Sequence, residues 1–383
     1  MRLLNDKKIA IVGAGPVGLL MARLLQLKGA KTTVYERDLD RDARIWGGTL
    51  DLHKTSGQLA LQKAGLLEKY YELSIPMGIK FADIQGGIMA VKSMTAEHRR
   101  DNPEINRNVL RTMLLDSLMP GSVQWDSHLV SLEAQNSAWR LRFANCAEAT
   151  ADMVILASGG MAKMRSIVTD EVVEETGSFI VQGDVPDPAV NLPEFYKLCD
   201  NHRLMVASGG NLLVANPLNG DKLTYGLIFK KPETWQGNLE QDLKIDFSDQ
   251  AMASTYLKAR LGGWSELYHS LIEKTTQFVG LPTRVLPLAQ PWKPNRPLPI
   301  TLIGDAAHLM PPFAGMGVNI GLMDATILTE NLVSDRFSNV TDAINDYEKQ
   351  MMAYAKAASA ESRENELEMR DPDFDFRKML QLA

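Results

Sequence analysis

The feature that most narrows the choice of fold is Gly13-Ala14-Gly15-Pro16-Val17-Gly18, placed directly after the apolar run KIAIV (Lys8–Val12). A short β-branched run of this kind reads as a buried parallel strand. Beyond the glycines, Leu19, Leu20, Ala22, Leu24 and Leu25 recur at helical spacing, and KTTVY (residues 31–35) reads as a second strand. This is a βαβ unit with the glycine spacing of a dinucleotide-binding turn. Gly13 makes the tight turn, Gly15 lets the backbone approach a pyrophosphate, and Gly18 lets the helix lie against the strand. The helix start offers free N–H groups and a positive dipole end to the phosphates. Glu36 ends the second strand, where a carboxylate accepts hydrogen bonds from an adenosine ribose, and Arg37 beside it can pair with or stack on the nucleotide.

A second turn of this texture lies near the other end of the chain. A strand at residues 300–303 runs into Gly304-Asp305-Ala306-Ala307-His308, then into PPFAGMGVN (residues 311–319) and a helix beginning near Ile320. Asp305 can hydrogen-bond the ribityl hydroxyls of a flavin. Gly317, Val318 and Asn319 place backbone N–H groups at a helix start against the electron-rich edge of the flavin ring. Together the two turns point to FAD.

Between them the texture changes. Residues 179–185, 204–208, 211–215 and 223–229 are short and rich in Val, Leu and Phe, with Gly209-Gly210 as a hairpin turn. Closely spaced strands without intervening helices predict an antiparallel sheet. A helix is expected from about residue 341 to 369, broken by Asp371-Pro372 and followed by Phe374 and Phe376. The expected organisation is a cofactor domain over residues 1–170, a substrate domain over 171–285, a return segment over 286–335, and a C-terminal helix and tail over 336–383. The balance of 41 Lys plus Arg against 47 Asp plus Glu, a net charge of −6, argues against a nucleic-acid surface. Cys146 and Cys199 are too few for a disulfide framework or zinc site, and the six histidines show no ligand spacing, so no metal is expected. The most apolar stretch, residues 13–27, is broken by Arg23 and too short for a bilayer. The N-terminus shows no signal-peptide pattern, so the expected setting is the cytoplasm.

The pair of turns resembles the group A flavoprotein hydroxylases, such as para-hydroxybenzoate hydroxylase, over nearly the whole chain. The runs ARIWGGTLDLHK (43–54), DNPEINRNVLR (101–111) and RPLPITLIGDAAHLMPPFAGMGVN (296–319) are similar to the tetracycline-inactivating monooxygenases, or tetracycline destructases. The resemblance implies an α/β fold with an α+β insert: a glutathione-reductase-type Rossmann FAD domain, an antiparallel-sheet substrate domain and a C-terminal helix. It also implies an NAD(P)H-dependent monooxygenase acting on a small molecule with O2, as a monomer. Arg107, Asp51 and Asp305 match the family's FAD contacts. Arg44 matches an arginine associated with transiently bound NADPH, and a solvated surface charge is its alternative reading. Ser158 stands where many flavin hydroxylases carry Asp, a departure shared with the tetracycline group.

The substrate positions implied by the resemblance are Gln182, Arg203, Met205, Pro312, Phe313, Gly315, Asn365, Met369 and Phe376. Arg203 would hold an ionised enol through two parallel hydrogen bonds. Helix packing is the alternative for Met369. Val214 replaces an aromatic residue and Thr224 a substrate-contacting histidine, while Met316 and Ile320 replace polar residues near the flavin, so the pocket is more apolar than the family's. The expected function is hydroxylation of a polycyclic enol or phenol, tetracyclines first. The alternatives are a monooxygenase of another phenolic or polycyclic compound, a flavin-dependent reductase or dehydrogenase of the same fold, and a flavin-bound protein without turnover.

Overall fold

Lys8–Val12 (β1), Pro16–Leu27 (α1) and Lys31–Tyr35 (β2) form the βαβ unit, in a computed structural model that describes residues 2–43, 47–235 and 245–381. There follow Leu50–Asp51 (β3), Gly57–Lys63 (α2), Leu67–Leu73 (α3), Ile79–Ala82 (β4), Ile88–Lys92 (β5), Glu104–Ile105 (β6), Arg107–Asp116 (α4) and Val123–Gln124 (β7). An antiparallel ribbon of Leu129–Gln135 (β8), Ala138–Phe143 (β9) and Glu148–Ala151 (β10) leads into Met153–Leu156 (β11). The central part comprises Glu174–Pro186 (β12), Pro188–Asn191 (α5), Pro193–Cys199 (α6), Arg203–Ser208 (β13), Asn211–Asn219 (β14), Lys222–Lys230 (β15), Gln250–Arg260 (α7), Glu266–Glu273 (α8) and Gln277–Val285 (β16). Ile300–Leu302 (β17), Asp305–His308 (α9), Gly317–Val333 (α10), Val340–Met369 (α11) and Phe376–Gln381 (α12) complete the chain.

Two sheets carry the architecture. The first is parallel, in the order β17-β11-β1-β2-β7. Its central strands are apolar because they are covered: Ile9, Ile11, Val154 and Ile155 are at most 2% exposed, in one core with Leu19, Leu20, Leu322 and Leu328 of the paired helices α1 and α10 and with Trp139 and Leu141 of the β8–β10 ribbon. The second has seven strands in the order β16-β12-β15-β14-β13-β4-β5, antiparallel except where β13 runs alongside β4. It draws β4 and β5 from the first third of the chain and its other strands from the centre. Gly209 and Gly210 both take positive φ, 57° and 72°, in the hairpin between β13 and β14.

This sheet has one sealed face and one working face, as the two-residue side-chain period requires. Phe179, Val181, Val185, Leu213 and Leu227 pack with α6, α7 and α8 in one core. Ile180, Met205, Val214 and Ile228 point the other way, toward Phe313, Met369, Phe374 and Phe376.

Three local features differ from the sequence expectation. Two short helices, α5 and α6, separate β12 from β13, each opening on a proline that suits a helical first turn. The β8–β10 ribbon lies within residues expected to continue the parallel domain. Helix α10 starts at Gly317, three residues ahead of Ile320, because first-turn N–H groups have no intrahelical partner and a glycine there costs little. Among the described residues no helix is long and apolar enough to cross a membrane.

Candidate functional site

The glycine turn after β1 divides into two positions demanded by the protein and one that is not. Gly13 takes φ +111°, and a Cβ there would strike the Ala157 carbonyl. A Cβ on Gly18 would overlap the carbonyl oxygen of Gly13. Gly15 has φ −75° and ψ 172°, open to any residue, and nothing lies within 4 Å of where its Cβ would be. The peptide of Ala14 is held from both sides: its N–H donates to Glu36 Oε2 at 2.5 Å and its carbonyl accepts from Arg111 Nε at 3.1 Å. Glu36 is 8% exposed and also accepts from the Asp38 N–H. Arg37 is exposed, beside an open recess lined by Asp38, Leu39 and Asp40. Arg44 lies outside the described residues.

At the second turn Asp305 opens α9 with its side chain exposed. Arg107, first residue of α4, donates from Nε to the Gly48 carbonyl at 2.9 Å. Burial pushes its guanidinium pKa down, and the charge of Asp305 works against that. Met316 precedes α10 without a side-chain cap, which leaves Gly317 and Val318 to present free N–H groups. The Asn319 side chain turns inward, wholly buried. It accepts from the His53 N–H at 2.8 Å and donates to the Asp51 carbonyl at 2.9 Å and the Gly315 carbonyl at 3.1 Å. It thus fixes the β3 loop to the start of α10. Burial alone would raise the Asp51 carboxyl, but His53, Arg203 and Asn102 together hold it below the ordinary carboxylate range.

The expected substrate positions converge on the working face. Cross-strand pairing aligns Gln182, Gly226, Val214 and Met205 in one row, and Asp184, Thr224 and Asn216 in the neighbouring row, with Arg203 at the start of β13. Over them comes the 311–316 loop, held by α11. The Phe313 N–H donates to Ser362 Oγ at 3.2 Å, and its carbonyl accepts from Asn365 Nδ2 at 3.2 Å. Pro312 and Gly315 are exposed and Met316 is half-buried. Phe376 is buried, its ring 4.8 Å from that of Phe81, so it closes the wall and shows little surface to a ligand. Thr224 is buried, accepting from Asn219 Nδ2 at 2.8 Å and donating to Asp184 Oδ1 at 3.0 Å. Arg203, expected as a free clamp, is ion-paired with Glu104, which also accepts from the Thr49 hydroxyl.

These parts fit a flavin dinucleotide: open space at Gly15, two helix starts without side-chain caps, an exposed carboxylate at Asp305, and an apolar cluster beyond. The FAD binding domain family model matches residues 6–189 and 286–362, the two segments that carry both turns. The chain belongs to the FAD-binding domain family. It is an FAD-dependent monooxygenase, and NAD(P)H dependence is typical of that family. The kynurenine 3-monooxygenase of Christiangramia forsetii is 25% identical over 98% of this chain and 85% of its own length. The structure of Klebsiella pneumoniae HpxO, complexed with FAD and uric acid, superposes with a TM-score of 0.79 at 18% identity, covering 99% of this chain and 92% of that one. The tetracycline destructase Tet(51) superposes with a TM-score of 0.75, also at 18% identity, over 98% and 94%.

Three parts of this flavoenzyme's site escape a reading of motifs. Arg111 clamps Ala14, Ala43 and Asp38 together. Arg165 ties the loop after β11 to the second turn, donating to the Gly160 carbonyl at 2.6 Å and the Ala306 carbonyl at 2.7 Å. Beneath α9, Asp324 is fully buried and accepts from the Gly304 N–H at 2.7 Å, from His308 Nε2 at 2.7 Å and from the Tyr354 hydroxyl. Burial would lower the His308 pKa, but Asp324 outweighs it and holds the imidazole above its ordinary value. The signal for this group is a lone acid in the mostly apolar opening run of α10, GVNIGLMDATIL.

Asp305→Ala is expected to leave folding intact, since the side chain is exposed, and to weaken FAD retention by about 1.5–3 kcal/mol, the worth of a charged hydrogen bond. Equilibrium dialysis of the apoprotein against FAD measures this, and unchanged affinity would remove Asp305 from the cofactor site.

Proposed function

We propose that this monooxygenase hydroxylates a polycyclic enol or phenol, with tetracycline antibiotics as the first candidates, inactivating the drug at the expense of NADPH and O2. The observation that carries the reading is the working face: Gln182, Met205 and Val214 lie in or beside one cross-strand row, under Phe313 and Met369 and next to the loop that starts α10. A broad apolar floor with one polar edge suits a flat, fused-ring molecule. FAD supplies the oxygenating chemistry when bound. The protein's part is to hold the ring system edge-on to the α10 start and to keep bulk water out with Phe313, Met316 and the tail. Gln182 can donate to and accept from the substrate's oxygens, and the Arg203 donors not engaged by Glu104 can orient an enol oxygen. The similarity of fold to a tetracycline destructase supports the reading.

The occupied hydroxyl of Thr224 and the aliphatic Val214 favour a second reading, in which the substrate is another phenolic or polycyclic compound. One assay separates them. The FAD-loaded protein is incubated with NADPH, oxygen and a panel of tetracyclines and polycyclic phenols, and products are sought by mass spectrometry as a gain of one oxygen atom. Oxygenated tetracycline is the expected result. NADPH consumption with oxygenation of phenols alone would replace the first reading by the second.

A further inference from the structure

The charge surrounding Arg203 decides what the polar edge of the pocket accepts. Its guanidinium is ion-paired with Glu104, a side chain only 5% exposed, and lies in the field of Asp51. Glu104 and Asp51 face one another across the short β3–β6 ribbon, so two carboxylates converge on one cation. His53, 3.4 Å from Asp51, returns at most one positive charge. One guanidinium against the two carboxylates of Glu104 and Asp51 leaves this edge formally at −1, or neutral with His53 protonated. Arg370, at the opposite end of the face, donates to the Thr176 carbonyl and the Ser178 hydroxyl.

We infer that Glu104 is a specificity-determining residue: by neutralising Arg203 it makes the pocket select substrates whose edge group is neutral or cationic, an amide or an amine, and reject those bearing a carboxylate. The inference rests on the working face being the substrate pocket. A free arginine in a partly dry pocket attracts an anion. The same arginine already paired with a buried carboxylate still offers N–H donors, and an incoming carboxylate then meets two like charges at close range. Discrimination here arises from repulsion of the wrong ligand as much as from attraction of the right one.

The test uses the FAD-loaded full chain and three matched ligands, 6-hydroxy-2-naphthamide, 6-(aminomethyl)-2-naphthol and 6-hydroxy-2-naphthoate, each titrated while flavin fluorescence is followed. The wild type is expected to bind the amide and the amine at least about tenfold more tightly than the carboxylate. Glu104→Gln should narrow that ratio by about tenfold or more, and Glu104→Asp should keep it. A wild type that favours the carboxylate, or a Glu104→Gln protein with an unchanged ratio, would overturn the inference. If Glu104→Gln fails to hold FAD, the wild-type ratio and Glu104→Asp decide. No response to any ligand in any of the proteins would overturn the placement of the pocket itself, and the inference with it.

Discussion

Gly15→Val is expected to yield a protein that folds as the wild type does and carries no FAD. The three glycines of this motif differ in what requires them. Gly13 and Gly18 are required by the chain itself, because a Cβ on either would run into backbone. Gly15 is required by nothing in the protein: its backbone angles suit any residue, and the space beside it is empty. A valine there conflicts only with what occupies that space. Displacing a pyrophosphate by the width of an isopropyl group should cost about 3 kcal/mol or more, roughly a hundredfold in affinity. The thermal midpoint of the apoprotein should be unchanged, while the purified variant should lack flavin absorbance even after added FAD. A yellow Gly15→Val protein would assign the turn a structural role alone.

The second large effect is expected at Asp324. Replacing it by alanine would strand the Gly304 N–H, His308 and the Tyr354 hydroxyl in a dry interior. Removing one partner of a buried ionic group costs about 3–5 kcal/mol. Denaturant unfolding should show that loss, and FAD retention should fall with it, because the stranded groups set the position of α9 and therefore of Asp305. Asp324→Asn, which keeps an acceptor, should lose less. Equal stability of all three proteins would mean that the buried group does not hold the turn.

The residues that were legible in sequence are those whose role is local. The βαβ unit and the Gly-Asp turn announce themselves because strand, glycine spacing and helix start lie within about twenty residues of one another. The β13–β14 hairpin was legible for the same reason, with its strands flanking a glycine pair. What the sequence concealed depends on distant contacts. The Glu104–Arg203 pair joins residues about a hundred positions apart, and within its own run Glu104 reads as one more charge in DNPEINR. Asp324 and Tyr354 are brought together by the packing of α10 on α11. Helices α5 and α6 were hidden because four and seven residues carry too little periodicity to register. Arg203 is expected within the antiparallel sheet and opens β13 there, while its partner Glu104 comes to it only through the β3–β6 ribbon.

The seven-stranded sheet takes β4 and β5 from ahead of β11, a strand of the parallel sheet, and its remaining strands from after it. No single cut in the chain therefore releases the whole sheet. A segment of residues 174–285 exchanged with a relative would bring five of the seven strands and would have to pair with the resident β4 and β5. On the proposed reading, substrate range changes one side chain at a time, through positions such as 182, 205, 214 and 224, while the hydrogen-bonded backbone beneath them stays as it is.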